Sequence, residues 1–449
     1  MQNQILAIDI GSSKVCAIIA EIKDNDEIKI IGTGISKSQG LKKGTITNID
    51  LASKSIKSAL NDAKRVAGTN FTKAIVSISG AYTKSVNSNG IVNIPNKEIT
   101  IKEINRVMQT ALYNANIPHE YEVLHVLPYN FKVDDQDFIE DPLGMNASRL
   151  EVDVHIITTQ KSNLFNLKKA VRSAGVDIGN VVLSGYASSI AVLNEDEKEL
   201  GVAVIDMGAA TSNVVIHLGN SIRYNDFLAV GSNHITNDLS MALHTPLSVA
   251  EKIKIEHGSL KSSKNEIIEI PVIGDEKNTH EVSLEIVYNV IFARVEETLM
   301  ILAKSIEKSG LKDQIGAGIV LTGGMTKLEG LRDLAVAIFD NMPVRIGKPK
   351  HLEGMFDTLN DPAFSTSIGL VLYGAGHFTQ YEIDSNKNLR YRGENLGKEK
   401  IPMRENENLV EEKEESEMAQ LTKLENIKDN SESFKEKISK FFRWITQLF

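Results

Sequence analysis

A chain of 449 residues, 42% of them hydrophobic and 24% charged, is long enough to bury more than one core and has the composition of a globular protein. Its formal net charge of −9 argues against nucleic acid as the main partner. The single cysteine, Cys16, excludes an internal disulfide framework and fits a reducing cytoplasm; in its alternating apolar run it reads as a small core residue.

The opening MQNQILAIDIG has no basic n-region and no long apolar run, so a secretory leader is not expected. No segment reaches the ~18 apolar residues that a spanning helix requires, and the chain is not expected to cross a membrane. Residues 5–10 and 15–22 alternate apolar with small or polar positions around GSSK, a hairpin pattern, and 28–35 add a strand. NIDLASKSIKSALNDAKRVAG opens on an Asx-type cap, repeats apolar residues at helical spacing through Val66 and stops at Gly68. KAIVSIS is a strand again. From Ser85 to about Thr159 the texture changes. ITIKEINRVMQTALYNA reads as a helix capped by Thr100, and EYEVLHVLPYNFKV and RLEVDVHIITT read as strands, together a small inserted α/β unit. Alternation resumes with a helix at 163–174, the strand NVVLSG and the helix YASSIAVL. A second hairpin, GVAVIDMGAATSNVVIHLG, precedes PLSVAEKIKIEHG and a polar stretch with strands at 264–284. A long helix at about 285–309, the strand AGIVLTGG, a helix at 326–339 and FSTSIGLVLYGAG complete the series. Strands alternating with helices, with glycine at the turns, indicate an α/β fold. From 382 to 432 the chain is rich in Asn, Glu and Lys, and 400–432 carries ten acidic against five basic residues. Such a segment cannot bury enough apolar surface to offset its ordering entropy and reads as a disordered acidic tether.

The two hairpins are copies of one pattern. ILAIDIGSSKVCAII and VAVIDMGAATSNVVI share apolar–Asp–x–Gly–small–small, so Asp9 matches Asp206 and Gly11 matches Gly208. A glycine turn at a strand end turns backbone N–H groups toward an anion, and small side chains let a phosphate approach. A hydroxyl or ammonium just beyond, Thr211 or Lys14, adds a charge-assisted contact. An aspartate from each hairpin can hold Mg²⁺ through water. One such turn is common; two matched copies imply a duplicated domain with a cleft between its halves. GIVLTGGMTKLEGL adds bare backbone at Gly323 and Gly324 against which adenine would lie, and Glu251 and Lys254 share one helical face toward a ribose and base. The ten histidines are scattered, none at metal-ligand spacing with Cys or Glu, and read as structural or surface groups.

The chain ends SFKEKISKFFRWITQLF. Phe434, Ile438, Phe441, Ile445 and Leu448 form one helical stripe, widened by Phe442 and Phe449 and bordered by Trp444. Lys435, Lys437, Lys440 and Arg443 occupy the remaining face, and Ser433 with Glu436 makes a capping box. This pattern suits the plane of an anionic lipid interface. Each basic residue adds about 1 kcal/mol near anionic lipid, while ordering the helix costs ~1–2 kcal/mol per residue. One copy is therefore expected to bind reversibly, and an array firmly. A tether of about 50 residues reaches roughly 40 Å.

Taken in order, LAIDIGSSKV, SGYASSIAVL, VIDMGAATSN, GIVLTGG and FSTSIGLVLYG resemble the motifs of the actin/hexokinase/heat-shock-chaperone ATPase superfamily. Within it the chain resembles the FtsA family of bacterial cell-division actin homologues. LHVLPYNFKVD, DPLGM and VHIITT resemble that family's own subdomain, 1C, and the last helix resembles its membrane-targeting sequence. The likeness covers about residues 3–380. It implies an actin-like α/β fold of duplicated ribonuclease-H-like domains around a nucleotide cleft. Subdomain 1A would be 1–84 and 160–198, the inserted 1C 85–159, 2A 199–244 and 314–381, and 2B 245–313. A disordered acidic linker at 382–432 and a membrane-targeting amphipathic helix at 433–449 would follow. The resemblance implies ATP with Mg²⁺. Gly11, Ser12, Ser13 and Lys14 would contact the phosphates from one side and Gly208, Ala209, Ala210 and Thr211 from the other. Asp206 and Asp9 would orient the metal's water shell, with Asp206 the candidate catalytic group. Gly323, Gly324 and Met325 would back the adenine, and Glu251 and Lys254 would take the ribose side. Arg294 and Glu297, in 2B, would meet the C-terminal tail of FtsZ. The implied role is a polymerising adaptor that ties the FtsZ ring to the cytoplasmic face of the cell membrane at the division septum. It would bind itself, anionic membrane and other divisome proteins, and no nucleic acid. The chain departs from the family at GAATSN, where Gly-Gly-Gly-Thr and then x-Asp are usual. Ala209 and Ala210 stand for glycines, which tolerate positive φ better, and Asn213 stands for a carboxylate, so at most slow hydrolysis is expected. A pilus-assembly adaptor and a small-molecule kinase of the same superfamily are the competing readings.

Overall fold

The computed structural model describes residues 4–23, 27–219, 221–261 and 266–392. The C-terminal stripe from Phe434 to Phe449, with Lys440 and Arg443, lies outside the described residues, as does the tether from 393 onward.

The first half opens with β1 (Gln4–Ile10) and β2 (Lys14–Ile22), an antiparallel hairpin that sets Asp9 opposite Cys16. β3 (Ile28–Lys37) extends the meander. The short β4 (Leu41–Lys42) and β5 (Thr45–Ile46) lead into α1 (Ile49–Ala67). Asn48 caps that helix by accepting from the Leu51 N–H at 3.0 Å, and Gly68 ends it in the left-handed conformation. β6 (Lys73–Ile78) lies parallel to β1. The inserted unit follows: β7 (Thr83–Asn93), α2 (Ile101–Asn114), β8 (Tyr121–Val133), β9 (Gln136–Ile139) and β10 (Arg149–Gln160). Thr100 and Glu103 form the capping box of α2. The chain returns through α3 (Lys161–Ser173) to β11 (Asp177–Leu183), completing the sheet β11-β6-β1-β2-β3, and leaves by α4 (Ser184–Val192).

The second half repeats this order. After α5 (Glu195–Leu200) come β12 (Val202–Met207), β13 (Ser212–Leu218), β14 (Ser221–Leu228), α6 (Ser232–Ala242) and α7 (Leu247–His257). The hairpin β15 (Ile267–Val272) and β16 (Asp275–Ser283) precedes α8 (Leu284–Lys308). β17 (Ile319–Thr322), α9 (Leu331–Ile338), β18 (Val344–Ile346) and α10 (Ser365–Gly374) follow. The sheet β14-β13-β12-β17-β18 has the first sheet's form, a three-strand antiparallel meander with two parallel strands beside its first member. The duplication visible in the two hairpins thus extends to both sheets. The expected helix at 326–339 is a 3₁₀ turn, Gly324–Lys327, followed by α9, because Gly330 in the left-handed region interrupts it.

Strand periodicity explains how the halves join. Val202, Val204, Val215 and Val320 of the second sheet belong to the same core as the first sheet, α4 and α10. Their neighbours Ala203, Ile205, Val214 and Leu321 face a second core with α6 to α9. α4 is buried at every residue but Ser184 and α10 at every residue but Thr366 and Gly374, as expected of helices packed on all sides. A Cβ on Gly369 would stand 1.8 Å from the Ala187 carbonyl oxygen, so the two helices meet backbone to backbone.

One boundary is corrected. Residues 382–392, expected in the disordered linker, are ordered. β19 (Tyr381–Ile383) and β20 (Leu389–Tyr391) join the inserted unit's sheet in the order β20-β19-β8-β10-β7, with β9 beside β8. The polar composition misled because Glu382 and Asp384 are buried and hydrogen-bonded rather than solvated. Among the described residues no helix is long and apolar enough to cross a membrane.

Candidate functional site

Both hairpin turns close in the same way. The Gly11 N–H donates to the Lys14 carbonyl at 3.0 Å, and the Gly208 N–H to the Thr211 carbonyl at 2.8 Å. Both turns line one cavity of about 440 Å³, a volume ordinary for a cofactor site. Asp9, Gly11, Ser12, Ser13 and Lys14 line it from the first half. Asp206, Gly208, Ala209, Thr211, Glu251, Lys254, Gly323, Gly324 and Met325 line it from the second. Of the residues expected here, Ala210 is not in the lining.

The floor is built from carboxylates held by hydroxyls. Asp9 is buried; its Oδ1 accepts from Ser77 at 2.9 Å and its Oδ2 from Ser367 at 3.1 Å. Asp206 is equally buried and accepts from Thr366 at 3.1 Å. Burial raises the Asp9 pKa above the usual carboxylate range, against the pull of Lys14 and both hydroxyls. Burial, with the Asp9 charge adding to it, pushes Asp206 up to about 6. Two crowded carboxylates that resist ionisation suit a divalent cation, whose charge favours the ionised form. Two carboxylates alone leave most of a Mg²⁺ coordination sphere to water and phosphate.

Lys14 is held in place by donating to the Ala363 carbonyl at 2.7 Å and lying 4.2 Å over the Phe364 ring. On α7, Lys254 donates to Glu251 at 2.6 Å, to Thr236 at 2.9 Å and to the Ser232 carbonyl at 3.3 Å. The i, i+3 spacing therefore brings the pair to one face, against the first turns of α6. Gly323 has φ 89°, and a Cβ there would lie 2.5 Å from Asp206 Oδ1, so both conformation and space require glycine. Lys327 also lines the cavity and pairs with Asp361 at 2.7 Å.

The second loop needs a correction. Neither Ala209 nor Ala210 has positive φ, so replacing glycine there carries no conformational penalty. The loop is fastened from outside, since the Ser232 and Asn233 N–H groups donate to the Gly208 and Ala209 carbonyls at 3.1 and 2.7 Å. Asn213, which stands where the resembled family usually has a carboxylate, is buried, and its Oδ1 accepts from the Gly80 N–H at 3.3 Å, bridging the two halves.

Sequence reasoning missed Ser77, Thr366 and Ser367, which hold the two aspartates. Their signal was present in KAIVSIS and FSTSIG, where hydroxyls interrupt apolar runs at element ends. Arg294 and Glu297 lie apart from the cavity on α8 and pair with each other and, through Arg294, with Asp238 of α6. Among the described residues no group of three or more His, Cys, Asp or Glu could hold a metal directly.

Comparison with known proteins adds three findings. Residues 80–158 match the family model of the SHS2 domain inserted in FTSA, and residues 203–369 that of the cell division protein FtsA. The cell division protein FtsA of Helicobacter pylori (strain ATCC 700392 / 26695) is 42% identical over 419 residues, covering 86% of this chain and 85% of that one. Its counterpart in Escherichia coli (strain K12) is 32% identical over 379 residues, covering 82% and 90%. Among solved structures, the PilM-PilN type IV pilus biogenesis complex superposes with a TM-score of 0.59 at 18% identity, over 83% of this chain and 98% of that one. MreB5 of Spiroplasma citri bound to ADP does so at 0.50 and 12%, over 83% and 95%. These two likenesses show the fold.

Proposed function

This chain belongs to the FtsA family of cell-division proteins, and from that premise we propose that it is an ATP-binding, polymerising adaptor that ties the FtsZ ring to the inner face of the cytoplasmic membrane at the septum. The observation that carries the nucleotide reading is the pair of matched turns closing on one cavity with Asp9 and Asp206 at its floor. The backbone and hydroxyls of the Gly11, Ser12 and Ser13 turn, with Lys14, would hold the phosphates from one side. Gly208, Ala209 and Thr211 would hold them from the other. Gly323, Gly324 and Met325 offer flat backbone for the base, and Glu251 and Lys254 offer an acceptor and donor for the ribose. Mg²⁺, when bound, would neutralise phosphate charge; Asp9 and Asp206 would orient its waters. Hydrolysis would be slow. Asn213 cannot accept a proton, and Asp9 and the Oδ2 of Asp206 are engaged by hydroxyls, which suits orientation better than proton abstraction.

Attachment rests on the sequence of residues 433–449, and the FtsZ contact on Arg294 and Glu297. Their ion pairs with each other and Asp238 would have to open for a peptide to engage them. The kinase reading would require the inserted unit to supply a substrate pocket. The pilus-adaptor reading has only likeness of fold behind it. Equilibrium binding of ATP, its turnover, and co-sedimentation with FtsZ on anionic vesicles, with and without 433–449, test the proposal together. Tight ATP binding, slow turnover and vesicle association lost on truncation are expected. Turnover at the rate of a dedicated ATPase, or vesicle binding that survives truncation, would overturn the corresponding part.

A further inference from the structure

A second buried polar cluster centres on Glu382, which is fully buried. The Tyr373 hydroxyl donates to its Oε1 at 2.7 Å and the Tyr186 hydroxyl to its Oε2 at 3.2 Å. His125 Nδ1 lies 2.8 Å from Oε1. The other ring nitrogen, Nε2, accepts the Leu183 N–H at 3.1 Å and so carries no proton. The neutral ring therefore donates from Nδ1 to Glu382. These partners come from β8 of the inserted unit, α4 and α10, while Glu382 sits on β19. The segment is also fastened beyond Glu382, where Asn180 donates to Asp384 at 2.9 Å and Arg390 lies 4.4 Å over the Tyr373 ring.

α10 reaches from this cluster to the cleft. Thr366 and Ser367 at its start hold Asp206 and Asp9, and Tyr373 near its end holds Glu382. The helix is ten residues long, ~15 Å. Its backbone packs directly on that of α4 at Gly369 and Ala187, a close contact that leaves little room for one helix to shift without the other. We propose that α10, braced by α4, couples ligand occupancy of the cleft to the 379–392 segment and the inserted unit through Glu382. A ligand that draws on the Asp9 and Asp206 carboxylates acts on Thr366 and Ser367, and hence on α10. Glu382 follows Tyr373 because a buried carboxylate deprived of its donors is costly. The proposal rests on the nucleotide reading above.

Hydrogen exchange of the full chain, without nucleotide and with saturating Mg²⁺ and ATP, tests it, with ATP binding measured separately by isotherm. Coupling between sites is commonly about 5- to 150-fold, so exchange across 381–391 should change by about fivefold or more when ATP binds. Tyr373→Phe keeps the ring and lies outside the cleft; it should still bind ATP but lose the response. If that variant does not fold, Tyr186→Phe removes the longer bond to Glu382 together with the one the Thr379 N–H donates to that hydroxyl at 3.1 Å, and should weaken the response. A wild-type chain that binds ATP with unchanged exchange at 381–391 overturns the coupling, as does a Tyr373→Phe chain that responds like wild type. A flat isotherm overturns the nucleotide reading, and the coupling with it.

Discussion

Asp206 shows what the cleft demands of a single residue. Its carboxyl titrates at about 6 against an ordinary 3.8, because burial penalises its charge. The folded chain thus holds this proton more tightly than the unfolded chain does. The stabilising contribution is complete below pH ~4 and is lost as pH rises through 6. At neutral pH the ligand-free protein therefore carries a buried charge at a cost of about 1–3 kcal/mol. Asp206→Asn should be more stable than wild type by that amount at pH 7 in denaturant titration, with the gap closing near pH 4. The same variant should bind Mg²⁺-ATP more weakly, the usual opposition between stability and a functional site. Equal stability of the two proteins at pH 7 would contradict the burial argument.

At the scale of elements, the α4–α10 pair is the least forgiving contact. Ordinary helix pairs leave room for side chains between their axes; here Gly369 rests on the carbonyl of Ala187. Gly369→Ala should lower stability by at least ~1–3 kcal/mol through overpacking, read as a fall in the denaturant midpoint with unchanged slope. The clash cannot be relieved by a rotamer, since both atoms belong to or adjoin the backbone. An unchanged midpoint would mean that the helices separate freely.

For the whole molecule, ordered structure continues further along the chain than its composition suggests, through β19 and β20. A chain truncated after Arg392 should unfold like the full-length protein. Truncation after Gln380 removes Glu382 and leaves the buried donors of His125, Tyr186 and Tyr373 without their shared acceptor, each loss costing about 1–3 kcal/mol. That shorter chain should unfold at markedly lower temperature or fail to fold. Equal melting of the two truncations would show that β19 and β20 contribute nothing to the body.

By itself the sequence determined the repeat, the α/β class, the inserted unit and most of the cavity lining. Those features are written locally: a glycine turn after an apolar strand, or an Asx cap before a helical stripe, needs only a few neighbouring residues. Gly68, Thr100 and the two D-x-G turns behave as their spacing predicts because backbone conformation and capping are short-range effects. Only the tertiary structure decided which hydroxyls hold Asp9 and Asp206, since Ser77 and Ser367 reach Asp9 from 68 and 358 positions away. It also decided that Asn213 bridges to Gly80, and that Glu382 is a buried keystone rather than part of a solvated linker. A charged residue in a polar stretch is ordinarily solvated; its burial depends on distant donors, here His125, Tyr186 and Tyr373, that local pattern cannot reveal.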